Sequence, residues 1–185
     1  MLKQLLASAV VVLTMVGTST AAASNEAKKD FQVLKGIVTA VDRYTQFTIF
    51  DNVDASVKDG VVVLTGQVTM PYKRTDIEKR VAKVDGVMTV DDRITVLPVS
   101  TFDDQLRYRI ARSIYGNPNF WNYANMPNPP IHIVVEHGHV TLTGVVQSNV
   151  DRMLARSLAT QFGALTVTND LKTDAEVQAV LEKSE

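Results

Sequence analysis

Val57-Lys58-Asp59-Gly60-Val61-Val62-Val63-Leu64-Thr65-Gly66-Gln67-Val68 returns as Val135-Glu136-His137-Gly138-His139-Val140-Thr141-Leu142-Thr143-Gly144-Val145-Val146. Gly60 and Gly138 stand 78 residues apart (138 − 60), and Gly66 and Gly144 keep that spacing. Each stretch reads as two apolar-rich strands around a tight turn, where glycine tolerates positive φ. A glycine inside the second strand signals a bulge or a close backbone approach. A repeated hairpin predicts a repeated small domain. What repeats is turn and core chemistry rather than reactive side chains, which points away from catalysis.

Outward from the first hairpin, Leu34, Ile37, Val38 and Val41 fall at i, i+3, i+4 and i+7, one apolar helix face. Val53, Ala55 and Val57 line one side of a strand. After the hairpin, Pro71 and Thr75 begin a second helix with Ile77, Val81 and Val84 on its apolar face, and Asp85-Gly86 ends it. Val87 to Leu97 reads as a third strand, with Val90, Ile94 and Val96 apolar. The order is helix, strand, strand, helix, strand. It repeats after a Pro98 linker: Leu106, Ile110 and Ile114 carry a helix, then come the hairpin, a helix ending at Gly163, and a strand from Ala164 to Lys172. Here the spacing falls to 77, as Gly86 meets Gly163 (163 − 86), which predicts one residue lost in the turn between hairpin and helix. The expected fold is α+β: two tandem αββαβ domains, residues 31–97 and 102–174, each with two helices on a three-stranded sheet. Residues 175–185 read as a polar, helical tail.

The chain has 185 residues, net charge −1 and no cysteine. That length suits two small domains. A near-neutral chain has no global electrostatic footprint for nucleic acid. Lack of cysteine excludes disulfides, thiolate metal sites, a cysteine nucleophile and a lipidated N-terminal cysteine. Residues 1–23 read as a secretory signal: Lys3, an apolar run from Leu5 to Gly17, then Ala21-Ala22-Ala23, with cleavage between Ala23 and Ser24. That run is short for a bilayer span, although an uncleaved anchor is the alternative. Ser24 to Asp30 reads as a flexible lead-in.

The glycine turn, the Val-Leu-Thr-Gly strand, the helix, the next glycine and the last strand together resemble the BON domain, a family named for bacterial osmotic and nodulation proteins. Gly60, Leu64, Gly66, Gly86, Val90 and Ile94 carry the resemblance, followed by Gly138, Leu142, Gly144, Gly163, Val167 and Leu171. The resemblance covers nearly all of the chain after the signal, as two copies. It implies an exported, non-enzymatic envelope protein of the periplasm without a cofactor. It implies binding to phospholipid membrane surfaces, anionic ones above all, in envelope maintenance or osmotic stress protection. The alternative is a periplasmic chaperone or interaction module for envelope proteins, with a sheet edge or inter-domain groove holding extended segments.

The halves differ most where Tyr115 to Pro130 carries an insertion rich in aromatics and proline. Phe120, Trp121 and Tyr123, with Met126, are candidate membrane-binding residues, because Trp and Tyr join an apolar body to a polar tip. Arg109 and Arg112, with Arg107, precede them on a helix and suit anionic headgroups. The same aromatics could instead fold back onto the domain core. His137 and His139 flank Gly138, but lack further ligands and read as a solvated turn, so no metal is expected. Lys79 and Lys83 interleave with Asp76, Glu78 and Asp85 as a solvated helix face.

Overall fold

The computed structural model describes residues 20–182. Helix α1 (Thr20–Asp42) leads into the hairpin β1 (Asn52–Lys58) and β2 (Val61–Val68), helix α2 (Pro71–Val81), and strands β3 (Thr89–Asp92) and β4 (Thr95–Val96). Helix α3 (Thr101–Tyr115), a single turn at Pro118–Phe120 and the short α4 (Trp121–Ala124) open the second copy. Hairpin β5 (Ile131–Glu136) and β6 (His139–Val146), helix α5 (Asn149–Ala159), β7 (Thr166–Asn169), β8 (Lys172–Thr173) and α6 (Asp174–Glu182) complete it. Each sheet has its second strand in the middle. β1 pairs antiparallel with β2, while β3 and β4 run parallel to it; β5, β6, β7 and β8 repeat this arrangement. The fold is therefore α+β, two αββαβ units in tandem.

Alternation on the central strands places one side of each sheet under the helices. Val62, Leu64 and Val68 face Ile37, Ile77 and Val81 in one core; Val140, Leu142 and Val146 face Leu106, Ile110 and Ala155 in the other. Three expectations need correction. The third strand is broken: the Arg93 amide still donates to Leu64 O at 2.8 Å, but the Asp92 carboxylate takes the Ile94 amide at 2.9 Å and interrupts the pairing before Thr95. Ile94 and Leu97 are then buried while Val96 is exposed. The lost residue lies after the helix, not before it. α2 and α5 both start and end 78 residues apart (149 − 71, 159 − 81), and the spacing becomes 77 only at β3 and β7 (166 − 89). Ser24 to Asp30 is helical, because the alanine-rich stretch from Thr20 favours continuation of α1. The C-terminal helix packs back on the first copy: Val177 is buried in the first core and Leu181 packs on it.

The two copies exchange parts. Val145 and Val177 of the second copy join the first core, and Phe50 of the first packs against the second. The Ile133 amide donates to Ile49 O at 2.7 Å, and Thr143 Oγ1 donates to Asn52 Oδ1 at 3.0 Å. Rings meet as well: Phe47 with His132 at 5.4 Å and Phe50 with Tyr108 at 5.0 Å. Of the expected signal, residues 1–19 lie outside the described residues, and Ala23 and Ser24 fall within α1. No described helix is long and apolar enough to cross a membrane.

Candidate functional site

Both hairpin turns are held by a carboxylate from the preceding helix. Asp59 and Gly60 take φ of 52° and 75°, His137 and Gly138 take 50° and 79°, so both central residues of each turn are left-handed. Their amides converge on one side chain: Asp30 accepts from Asp59 and Gly60 at 3.0 and 3.4 Å, Asp103 from His137 and Gly138 at 2.9 and 2.8 Å. Sequence reasoning missed this pair. The signal was an aspartate three residues before the first buried apolar position described in each helix, Asp30 before Val33 and Asp103 before Leu106. Gly66 and Gly144 are demanded by contact: a Cβ there would lie 2.2 Å from Asn52 O and 1.8 Å from Pro130 O. Gly86 sits against Val33, whereas Gly163 faces open space and is needed only for its backbone angle.

α3 is the most distinctive exposed element. Ser100 caps it, its side chain accepting the Asp103 amide at 3.2 Å. Leu106, Ile110 and Ile114 bury one face. Phe102, Gln105, Arg109 and Arg112 follow a 3-4-3 spacing along one flank of that face and are exposed. Phe102 is 57% exposed and Tyr108, opposite the buried face, 62%. Arg109 and Arg112 take part in none of the ion pairs among the described residues. Arg107 differs from the expectation. It is buried, with Nη1 on Asp104 at 2.7 Å and Nη2 on Val135 O at 2.9 Å, so it braces β5 and is not free for a ligand.

The aromatic insertion divides. Phe120 and Tyr123 are 0% and 3% exposed, inside the second core; Trp121 is 68% exposed. Phe120 and Tyr123 are therefore corrected as candidate contacts, because the extra chain folds back to fill space between α3 and α5. The Tyr123 hydroxyl donates to Asp151 at 3.0 Å and accepts from the Gln147 amide at 2.8 Å. Burial, with the Asp151 charge adding, pushes that phenol up to about 12. Met126 is half-buried against the same core. Trp121 alone of the loop aromatics presents a large surface to solvent.

In the first copy the place of the Tyr123 hydroxyl is taken by Asp51. Thr69, the counterpart of Gln147 (147 − 69 = 78), donates its amide to Asp51 at 2.7 Å, and Lys73 adds its ammonium at 2.6 Å. Thr48 contributes its amide and hydroxyl. Burial alone would raise the Asp51 carboxyl; the lysine and these hydrogen bonds outweigh it and hold it below the usual range. His132 reaches Asp51 O at 2.6 Å, and burial lowers its pKa. His137 and His139 are exposed, and no group of three or more metal-ligating side chains occurs among the described residues. An open groove of about 940 Å³ beside the first turn is lined by Lys28, Lys29 and Lys35 but also by Glu26, Asp59 and Asp85, so its charges offset.

The family profile of the BON domain matches residues 32–98 and 103–175. A search of curated proteins returned no match. Among solved structures, one from structural studies of CdsD, a structural protein of the type III secretion system of Chlamydia trachomatis, aligns at 15% identity and TM-score 0.29, covering 81% of this chain and 97% of that one. The C-terminal domain of CdsD aligns at 13% identity and TM-score 0.25, covering 73% and 96%.

Proposed function

The chain belongs to the BON domain family, and we propose that it docks reversibly on anionic phospholipid surfaces through the second copy. BON domains form a phospholipid-binding, generally non-enzymatic family of envelope and stress proteins. For this chain the reading is a periplasmic, exported protein without catalytic activity that serves envelope maintenance under osmotic stress. The observation that carries it is the exposed α3 flank, where Phe102 shares one stripe with Arg109 and Arg112, which have no ion pair among the described residues. Two cations near an anionic surface contribute about 1 kcal/mol each, and a partly inserted aromatic adds to that. Such a sum supports reversible attachment rather than permanent residence. Exposed Trp121, on the short helix that follows, lies in the same copy and reports the encounter.

The test is a titration with phosphatidylglycerol vesicles, with phosphatidylcholine vesicles as control, following Trp121 emission and co-sedimentation. Saturable binding to the anionic vesicles alone is expected, at least tenfold weaker for the Arg109→Ala/Arg112→Ala double variant. Equal binding by the double variant removes α3 as the site. No binding to either vesicle, together with suppressed aggregation of an unfolded protein, replaces the lipid reading with the chaperone one.

A further inference from the structure

Outer strands of a sheet expose unpaired amides and carbonyls that invite another strand, and proteins normally close them. The short β4 and β8 continue the edges of β3 and β7; of the longer outer strands, β1, β3 and β5 are closed, each differently. β5 is covered by the first copy, through the Ile133 amide on Ile49 O and His132 on Asp51 O. β1 carries the charged Asp54 and Lys58 and is tied at its start to Thr143. β3 carries Asp91 and Asp92; Arg93 pairs with the first, and Arg74 grips the second through its carboxylate at 2.7 Å and its carbonyl at 3.2 Å. β7 reads Thr166-Val167-Thr168-Asn169, without a charge. Arg152, at the place of Arg74 (152 − 74 = 78), turns away to Glu176 at 2.9 Å. Asn169 Nδ2 donates to Arg152 O at 2.9 Å and His139 Nδ1 lies 2.8 Å from Thr166 Oγ1, but no charged side chain stands on β7 itself.

Its geometry says what fits there. The Leu165 amide donates to Gly138 O at 2.8 Å, toward β6. Alternate residues of a strand point their main chain the same way, so Val167 also faces β6, while Thr166 and Thr168 direct theirs outward. Two outward residues separated by one are self-complementary about a two-fold axis through the residue between them. Thr166 of one copy then faces Thr168 of the other, each such pair exchanging both hydrogen bonds, and Val167 faces its own mate. No like charges meet. The same operation on β3, centred on Val90, would set Asp91 opposite Thr89 and Asp92 opposite Met88, placing charged carboxylates in the seam. Leu165, 70% exposed at the start of β7, would gain cover.

We propose that two copies of this chain associate through β7, antiparallel and centred on Val167, joining their second sheets into one. The contact is short, so the association is concentration-dependent. Sedimentation equilibrium of the full chain from about 5 to about 500 μM tests it. The expected result is a mass rising toward twice that of the monomer and no further. Thr168→Pro deletes an outward amide at a position where an edge strand tolerates proline. Thr168→Lys instead adds a guarding charge. Both variants should stay monomeric with the wild-type melting curve, while Thr89→Pro on β3 should still dimerise. A wild-type chain that remains monomeric at 500 μM, even one that binds an unstructured polypeptide, overturns the proposal. So does a dimer that survives both Thr168 changes.

Discussion

Asp54 should make the stability of this protein fall as pH rises through about 6. It lies on β1, half-buried where the two copies meet. Its one hydrogen-bond donor is Asn52 Nδ2 at 3.2 Å, and Asn52 is itself held by Thr143 of the second copy. Burial, with the nearby charge of Asp170, outweighs that bond and pushes the carboxyl up to about 6 from 3.8. The folded protein thus holds this proton more tightly than the unfolded chain. The associated stability is fully present below about pH 4 and is lost as pH rises through 6. A difference of roughly 2 pH units corresponds to about 3 kcal/mol for a group wholly shielded from water. Asp54 keeps partial access to solvent, and screening reduces this to about 1.5 kcal/mol. Asp54→Asn mimics the protonated form and removes the dependence. Urea unfolding of both proteins at pH 4.5 and 7.5 isolates this group from the other carboxylates. The wild type should lose about 1 kcal/mol relative to the variant over that range, or about 2 to 4 °C in Tm. A wild-type-to-variant difference that stays constant with pH refutes the reasoning. A difference of opposite sign would mean that Asp54 has a cationic partner.

Lys73→Met should destabilise by about 3 to 5 kcal/mol in urea unfolding, because it leaves the fully buried Asp51 charge without its ammonium. Gly144→Ala should prevent stable folding, since its Cβ would meet Pro130 O. Gly163→Ala meets nothing and should cost only about 1 to 2 kcal/mol for its left-handed backbone, as thermal melts of the two variants will show. Phe120→Ala should cost about 3 to 5 kcal/mol and Trp121→Ala under about 0.5, the reverse of what an exposed pair would give.

The tandem αββαβ order was legible because each element carries a local signature. Two-residue glycine turns, the alternation of Val62 and Leu64, and the helical spacing of Leu106, Ile110 and Ile114 depend only on the chain's own backbone geometry. The candidate surface was legible in part. Residue type marked Arg109, Arg112 and Trp121, and it marked Arg107, Phe120 and Tyr123 equally, though these three are buried. Amphipathic side chains serve a core or a surface, and only their neighbours decide which. For Tyr123 the decision lies with Gln147 and Asp151; for Arg107 it lies with the Val135 carbonyl.

The sequence by itself determined two copies of one small domain, where their strands and helices lie, and which glycines permit the turns. Tertiary structure alone decided that the copies interlock. Phe50, Val145 and Val177 each leave their own unit to pack on the other, and the helix that read as a tail closes the first core. Local periodicity records which face of an element is apolar, but not what covers it. The covering surface comes from residues far along the chain, and it exists only once both copies have folded.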